Sequence, residues 1–261
     1  MQQRIGDVVL SYAEHGRGEP LVALHGAGVD HRDVESAVEA VVPDGYRRIY
    51  LDLPGMGCST ADGLTGNDDV VTVLAAFVEQ LGAGPVRLLG HSYGAYLARG
   101  LATRRPDLLR GLALLCPVGD GSAAVPEAAV VHQDLDAYDE LEPGQRAGFD
   151  EYFVVRTRRT ARRYRDAVVP GTRLADQAAL ERILARWTIE LGPHRFPGPT
   201  LVVAGRQDST AGAAHAAELA ADHPHCTLAV LDGAGHALMH ERPELLGALL
   251  RDWLSWPPGP A

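Results

Sequence analysis

Short apolar runs alternate with longer amphipathic runs along most of this 261-residue chain. The apolar runs predict strands at residues 8–14, 20–26, 47–55, 85–90, 110–118, 200–205 and 226–232. The amphipathic runs predict helices at residues 32–42, 68–82, 93–104, 210–222 and 243–256, with Asn67 as the N-cap of the second. Because near-continuous apolar strands alternate with helices, the pattern indicates a parallel sheet covered on both faces, and the predicted fold class is α/β.

The alternation stops between about residues 119 and 197, where three helix-like stretches follow one another without a convincing core strand. The strand and helix pattern then resumes as before. We therefore predict a core formed by residues 1–118 and 198–261, with residues 119–197 inserted as a helical cap.

Composition and charge narrow the classes of protein that fit. A hydrophobic content of 46% can fill one large core, and a net charge of -10 opposes binding to nucleic acid. The sequence contains no apolar run of membrane-spanning length and no secretory signal pattern, and its three cysteines are few and far apart. These features predict a cytoplasmic protein with no nucleic-acid or membrane partner; a homodimer is left open.

All 24 basic residues are arginine, and the chain contains no lysine. This excludes mechanisms that require a lysine of this chain, such as a Schiff base, a phosphate-binding loop lysine or a kinase lysine.

The stretch Gly-His-Ser-Tyr-Gly at residues 90–94 separates a predicted strand from a predicted helix. A serine at such a sharp turn is lifted above the sheet edge, and Gly90 and Gly94 allow neighbouring backbone to approach closely. The helix behind it directs unpaired N–H groups at any negative charge that forms there. Ser92 is therefore the candidate nucleophile.

A serine nucleophile needs a base and a carboxylate that orients the base. Asp208 and His236 follow two successive predicted strands, so both belong at the same sheet edge as Ser92. Asp120 also follows a strand and is the rival acid, and Asp208 could instead cap the next helix. Asp232 is interpreted as structural.

The stretch His-Gly-Ala-Gly at residues 25–28 directly follows an apolar strand. Its small residues expose backbone N–H groups, and we assign Ala27 and Tyr93 as the two donors of an oxyanion hole. Gly28 and His31 are expected to line the adjacent pocket.

Several other residues have chemistry that the sequence leaves open. His25 and His91 are interpreted as hydrogen-bonding turn residues, and Cys58 as a small turn residue rather than a reactive thiol. His236 and His240 are four residues apart, but no third ligand accompanies them, so no metal site is predicted.

The predicted cap also contains a run of arginines, for which a salt-bridged surface is the main interpretation and a contact to a substrate carboxylate the alternative. These arginines are Arg156, Arg158, Arg159, Arg162, Arg163 and Arg165.

Taken together, the motifs HGAG, DLPGMGCS, GHSYG, GRQD and GAGH followed by ERPE resemble the α/β-hydrolase fold superfamily, in family order over nearly the whole chain. The resemblance implies an eight-stranded, mostly parallel sheet, a cap after the sixth strand, and an acyl-enzyme route that needs no cofactor. It does not imply a substrate.

We expect a serine hydrolase that acts on a small, largely apolar ester, lactone or related carbonyl compound, with Ser92, Asp208 and His236 as the catalytic residues. A carbon–carbon bond hydrolase or a cofactor-free perhydrolase would need the same three residues. A receptor-like ligand-binding protein with slow turnover is the alternative from another class.

Overall fold

The computed structural model describes residues 1–119, 125–192 and 194–256 of the chain. Its strands are β1 (Gln2–Ile5), β2 (Val8–His15), β3 (Glu19–Leu24), β4 (Tyr46–Leu51), β5 (Val86–His91), β6 (Leu109–Leu115), β7 (His132–Gln133), β8 (Val155–Arg156), β9 (Thr200–Gly205) and β10 (Cys226–Leu231). Eight of these strands form one sheet in the order β1-β2-β4-β3-β5-β6-β9-β10. Strand β2 runs antiparallel to both of its neighbours, and the strands from β4 to β10 in this order are parallel.

Ten α-helices are present among the described residues. They are α1 (His31–Val38), α2 (Asn67–Gln80), α3 (Tyr93–Arg104), α4 (Arg146–Tyr152), α5 (Arg158–Arg163), α6 (Val169–Thr172), α7 (Gln177–Leu184), α8 (Ala213–Ala221), α9 (Leu238–Glu241) and α10 (Pro243–Ser255). A π-helical turn at Tyr164–Val168 joins α5 to α6. In the described part of the chain, no helix combines the length and apolar character that crossing a membrane requires.

The central strands are buried on both faces, as their apolar sequences predict. Leu88 of β5 and Leu112 of β6 belong to a core cluster that includes α2 and α3. The next residue along each strand, Leu89 and Ala113, belongs to a second cluster that includes α1 and α10. Because successive side chains of a strand point to opposite faces, one sheet separates two apolar layers, which confirms the predicted α/β class.

The structure corrects two local predictions. Asn67 is not an N-cap: Gly66 occupies that position, and the buried Asn67 side chain donates to the Trp187 oxygen at 2.6 Å and accepts from the Tyr93 hydroxyl at 2.7 Å. The Asn67 side chain therefore bonds residues that the tertiary fold brings near, instead of a backbone N–H in the first turn of α2. The hydrophobic pattern also missed β1, a four-residue strand with only Ile5 buried.

The predicted cap contains α4 to α7 together with β7 and β8, which pair with each other in a small parallel sheet. Several of its apolar side chains form a separate cluster that includes Phe149, Phe153 and Tyr164. The division into a core at 1–118 and 198–261 and a cap at 119–197 remains a prediction.

The carboxyl ends of β3, β5, β9 and β10 lie along one edge of the sheet, since these strands are parallel. The loops that leave these ends contain Ala27, Ser92, Asp208 and His236 respectively. The topology therefore assembles the candidate site at the edge where open α/β sheets bind ligands.

Candidate active site

Ser92 occupies a strained turn between β5 and α3. Its φ of 54° and ψ of -117° are unfavourable for a residue with a side chain and cost about 1–3 kcal/mol. The Ser92 N–H donates to the Leu115 oxygen at 2.9 Å, which fixes the turn against β6.

Two glycines make this turn compatible with its neighbours. A Cβ at Gly90 would lie 2.4 Å from the oxygen of Gly94, and a Cβ at Gly94 would lie 2.5 Å from the oxygens of Leu24 and His25. Both separations are far below van der Waals contact. The backbone of α3 and the end of β3 therefore approach the turn only because glycine occupies both positions.

The structure brings Ser92, Asp208 and His236 together. Nε2 of His236 lies 2.8 Å from Oγ of Ser92, and Nδ1 of His236 lies 3.0 and 3.1 Å from the two carboxylate oxygens of Asp208. Because a carboxylate can only accept, this geometry puts the imidazole proton on Nδ1 and leaves Nε2 as the acceptor for the serine proton. The His236 side chain is 11% exposed and that of Asp208 is fully buried.

Asp208 remains ionised despite its burial. Burial raises the pKa of this carboxyl, but the hydrogen bond and charge of His236 outweigh that effect, and the pKa falls to about 2. The Thr210 and Ala211 N–H groups also donate to Oδ1, each at 2.9 Å. These bonds turn the chain after β9, so α8 begins at Ala213 rather than at the predicted residue 210.

Two neighbouring histidines make the backbone contacts expected of turn residues. His25 accepts from the Leu53 N–H at 3.0 Å, and its Nδ1 lies 2.7 Å from the Gly26 oxygen. His91 donates from Nε2 to the backbone oxygen of His236 at 2.9 Å. Burial lowers the pKa of both rings, that of His91 to about 4, so both are neutral at pH 7.

The loop at residues 25–28 lies against Ser92. A Cβ at Gly26 would be 3.4 Å from Cβ and 3.8 Å from Oγ of Ser92. Ala27 is exposed, and Tyr93 is the first residue of α3, where the helix itself supplies no acceptor for the backbone N–H. The Gly28 N–H instead donates to the sulfur of Met56 at 3.2 Å. Assignment of Ala27 and Tyr93 as oxyanion donors stays a prediction.

His31 is held by carboxylates at the start of α1. Its Nδ1 lies 2.6 Å from Oδ1 of Asp52, and its Nε2 lies 3.6 Å from Oε2 of Glu35. Burial disfavours the protonated form of His31 and by itself would lower its pKa. The hydrogen bond and the charge of Asp52 outweigh this effect, so the pKa of His31 is raised. Its role as a pocket residue remains a prediction.

Sequence reasoning missed two aromatic residues, one beside His236 of the triad and one beside Tyr93. The Tyr152 ring centroid lies 6.2 Å from that of His236, and the Trp187 ring lies 6.0 Å from Tyr93 while stacking on Tyr96 at 4.9 Å. Both Tyr152 and Trp187 belong to the predicted cap. No local pattern marked them, because their contacts join residues far apart in the chain.

The predicted metal-like spacing of His236 and His240 has another explanation. Nε2 of His240 lies 2.7 Å from Oδ1 of the buried Asp33, in a pair that joins α9 to α1. A different group, His91, Cys116 and His236, has ligand atoms within 4.8 Å of one another. Both ring nitrogens of His236 already contact Ser92 and Asp208, and burial raises the pKa of the Cys116 thiol, so this group fits the triad better than a metal.

The remaining sequence candidates lie away from the triad or outside the described residues. The exposed Cys58 donates its backbone N–H to Asp52, as a turn residue does. Asp232 is exposed and accepts from Gln207 at 3.1 Å. Asp120, the rival acid, lies outside the described residues.

The arginines of the predicted cap are engaged mainly with carboxylates. Arg158, Arg162 and Arg165 share Glu140 at 3.1, 3.4 and 2.7 Å. The other three contact different groups, with Arg156 at 3.2 Å from Asp150, Arg159 at 3.1 Å from Glu244 and Arg163 at 2.7 Å from the Ser36 oxygen. A salt-bridged surface therefore accounts for most of the run.

Comparison with known proteins agrees with this architecture. The family model for the alpha/beta hydrolase fold matches residues 19–243, which is most of the chain. The chain therefore belongs to the α/β-hydrolase fold family, as its motifs suggest, and it is a hydrolase of that family.

Individual relatives are similar over nearly the full length. The chain is 29% identical to an (E)-2-((N-methylformamido)methylene)succinate hydrolase of Acinetobacter baylyi, over 95% of this chain and 94% of that protein. It is 27% identical to a 2-hydroxy-6-oxo-6-(2'-aminophenyl)hexa-2,4-dienoic acid hydrolase of Metapseudomonas resinovorans, over 92% and 85%. An alpha/beta superfamily hydrolase of Oenococcus oeni superposes with a TM-score of 0.87 at 25% identity, covering 97% of this chain and 98% of that one.

Proposed function

We propose that the protein is a serine hydrolase that cleaves an ester, lactone or related carbonyl substrate through an acyl-enzyme on Ser92. The observation that carries this proposal is the 2.8 Å contact between Oγ of Ser92 and Nε2 of His236, with Nδ1 of His236 held by Asp208. A serine hydroxyl is a weak nucleophile, and a neutral imidazole that accepts its proton is the usual means of activating it.

In the first half of the reaction, Oγ of Ser92 bonds to the substrate carbonyl carbon while its proton moves to Nε2 of His236. The carbonyl π electrons move to oxygen, and the ionised Asp208 stabilises the imidazolium. When the tetrahedral intermediate collapses, the bond from carbon to the leaving oxygen breaks and His236 returns the proton to that oxygen. The product alcohol leaves, and the acyl group remains on Ser92.

In the second half, water attacks the acyl carbon while His236 accepts a proton from it. Collapse then breaks the bond to Oγ of Ser92, which recovers its proton from His236. The acid is released and the free enzyme is restored. We assign stabilisation of both oxyanions to the N–H groups of Ala27 and Tyr93, each of which would contribute about 3 kcal/mol to the transition state.

A largely apolar substrate is supported by the aromatic group next to the triad. The ring centroid of Tyr152 lies 6.2 Å from that of His236. Aromatic and aliphatic side chains with a few converging polar groups are typical of small-molecule sites.

A second candidate is the hydrolysis of a keto acid. The relative from Metapseudomonas resinovorans is named for a substrate with a 6-oxo group and a carboxylic acid. Hydrolysis of a ketone breaks a carbon–carbon bond, and Ser92, His236 and Asp208 would be needed for that reaction as well.

The two candidates are separated by assaying one protein against matched substrates. We would compare p-nitrophenyl acetate, butyrate and octanoate, γ-butyrolactone and a 2-hydroxy-6-oxohexa-2,4-dienoate, with Ser92→Ala as the control. Ester or lactone turnover that is lost in Ser92→Ala supports the first candidate, and preference for the dienoate supports the second. Turnover of none of them, or turnover that survives Ser92→Ala, would contradict the proposal.

A further inference from the structure

Glu241 is a buried carboxylate outside the triad. It ends α9, five residues after His236, and is 2% exposed. Its two oxygens accept three backbone N–H groups: Oε2 accepts from Gly235 at 2.7 Å, and Oε1 accepts from Val154 at 2.7 Å and Val155 at 3.0 Å. One side chain therefore contacts two separate segments of the chain.

These two segments are the ones whose relative position matters for the proposed reaction. Gly235 immediately precedes His236, so the position of its backbone determines where the His236 side chain lies. Val154 precedes β8 of the predicted cap and Val155 is the first residue of that strand. Val154 is two residues after Tyr152, the last residue of α4, whose ring lies beside His236. The Glu241 carboxylate therefore links the histidine loop to this part of the predicted cap through hydrogen bonds.

The two segments also pack tightly against each other. A Cβ at Gly235 would lie 2.8 Å from Cγ1 of Val154, so glycine is needed for this approach. On its other side Gly235 is close to β9, because a Cβ at Gly205 would lie 2.3 Å from the Gly235 oxygen. The histidine loop is thus confined between the sheet and the cap, and a shift of Val154 would be transmitted to Gly235.

Burial of the charge is tolerated because of these three donors. Burial raises the pKa of Glu241, and the N–H groups of Gly235, Val155 and Val154 oppose that rise. If one of these N–H groups moved away, the buried carboxylate would lose a hydrogen bond and the N–H group would lose its acceptor. The energetically favourable state is the one in which both segments are in place together.

We propose that Glu241 is a positioning residue that aligns the His236 loop with the Val154–Val155 segment, so that docking of the cap and alignment of the catalytic histidine occur as one event. This inference rests on the proposed serine-hydrolase function. Glu241 acts through the backbone of Gly235 and contacts no reacting atom.

The test compares Glu241→Gln with a matched control, Thr160→Val. Glutamine has nearly the same shape, but its amide nitrogen cannot accept, so at least one segment loses its partner. Thr160 is also buried and donates to the Val155 oxygen at 2.8 Å, so its replacement removes a hydrogen bond of the same segment while Gly235, Val154 and Val155 all keep their bonds to Glu241. Thermal unfolding of both variants measures the purely structural cost.

Labelling by a fluorophosphonate reports the alignment of Ser92 and His236 without a natural substrate. We expect the labelling rate of Glu241→Gln to fall about tenfold or more, because small misalignments of catalytic groups are costly. For the ester that turns over best, kcat should fall in parallel while KM changes little. Thr160→Val should label at a rate close to wild type, even if its melting temperature falls as far.

Hydrogen exchange tests the link between the segments directly. In wild type the amides of Gly235, Val154 and Val155 should be protected from hydrogen exchange to a similar degree. In Glu241→Gln the protection of both segments should fall together. Exchange that rises in only one segment, or Glu241→Gln that labels as fast as Thr160→Val, would overturn the proposal. If Glu241→Gln does not fold, unequal protection of the two segments in wild type would overturn it.

Failure of this inference is distinguishable from failure of the proposed function. If wild type is not labelled at all, the serine-hydrolase function fails and the catalytic part of the inference fails with it. If wild type is labelled and Glu241→Gln is labelled equally fast, only the positioning role is wrong.

Discussion

The Nε2–H of His91 donates to the backbone oxygen of His236 at 2.9 Å, and the two rings lie 5.1 Å apart. His91 is the last residue of β5, directly before Ser92, so the residue that precedes the proposed nucleophile holds the backbone of the proposed base. This contact joins two loops that are 145 residues apart in the chain. It fixes the backbone of His236 relative to the turn that contains Ser92.

This histidine predicts a loss of stability in mild acid. The pKa of His91 is lowered by burial to about 4 from 6.5, so the unfolded chain binds more protons than the native protein between these pH values. The neutral His91 ring therefore makes its full contribution to the free energy of unfolding above pH 6.5. As the pH falls towards 4, the free energy of unfolding decreases by up to about 3 kcal/mol.

Urea unfolding of wild type and His91→Gln at pH 7.5, 6.0 and 5.0 measures this effect. Glutamine keeps an N–H donor at a similar reach but does not titrate. The gap in unfolding free energy between the two proteins should shift in favour of His91→Gln as the pH falls. A gap that stays constant with pH would show that the His91 ring does not carry this dependence.

Replacing Asp208 should remove catalysis while the protein stays folded. In Asp208→Asn the carboxylate no longer selects the Nδ1–H tautomer or stabilises the imidazolium, so kcat should fall about 10³ to 10⁴-fold with little change in KM. Steady-state assay on the preferred ester measures this. Asp232→Asn is the control, because Asp232 is exposed and follows the neighbouring strand; an equal loss in that variant would show that the effect is not specific to Asp208.

The turn around Ser92 should not tolerate a methyl group at Gly94. A Cβ there would lie 2.5 Å from two backbone oxygens, so we expect Gly94→Ala to destabilise the protein by about 2–4 kcal/mol or to prevent folding. Gly144→Ala is the control, since a Cβ at Gly144 would meet nothing within 4 Å. Melting temperatures of the two variants decide the matter, and equal values would refute the close packing of α3 against β3.

The shared pairing of the cap arginines predicts that they do not select anionic substrates. Arg158, Arg162 and Arg165 all face Glu140, so single changes to alanine should leave KM for a carboxylate-bearing ester within about twofold of wild type. Assays at low salt give the most sensitive comparison. A KM increase confined to the anionic ester would instead restore the substrate-carboxylate interpretation for the arginine that was changed.

The sequence predicted the parts of the site that local patterns encode. Ser92 lies in a strand-to-helix turn with glycine on both sides, and Asp208 and His236 each follow a predicted strand, so the parallel sheet alone brings them to one edge. The strands β5 and β9 and the helix α3 were predicted for the same reason, because their apolar periods are regular.

The contacts that the sequence did not predict join distant residues. Asn67 looks like a helix cap in its local sequence, but its side chain reaches Tyr93 and Trp187, which only the tertiary fold brings near. Glu241 is the first residue of the ERPE motif, but the motif does not show that its side chain is buried against the backbone of residues 154–155. The hydrophobic periodicity of the sequence does not indicate which side chains such polar residues contact.

The proposed role of Ser92 is best tested by intact-mass measurement after exposure to a fluorophosphonate, on wild type, Ser92→Ala and Asp208→Asn. We expect stoichiometric labelling of wild type, no labelling of Ser92→Ala and much slower labelling of Asp208→Asn, because only an activated Ser92 attacks phosphorus. A folded wild type that stays unlabelled, or a Ser92→Ala variant that is labelled as fast as wild type, would contradict the proposed role of Ser92.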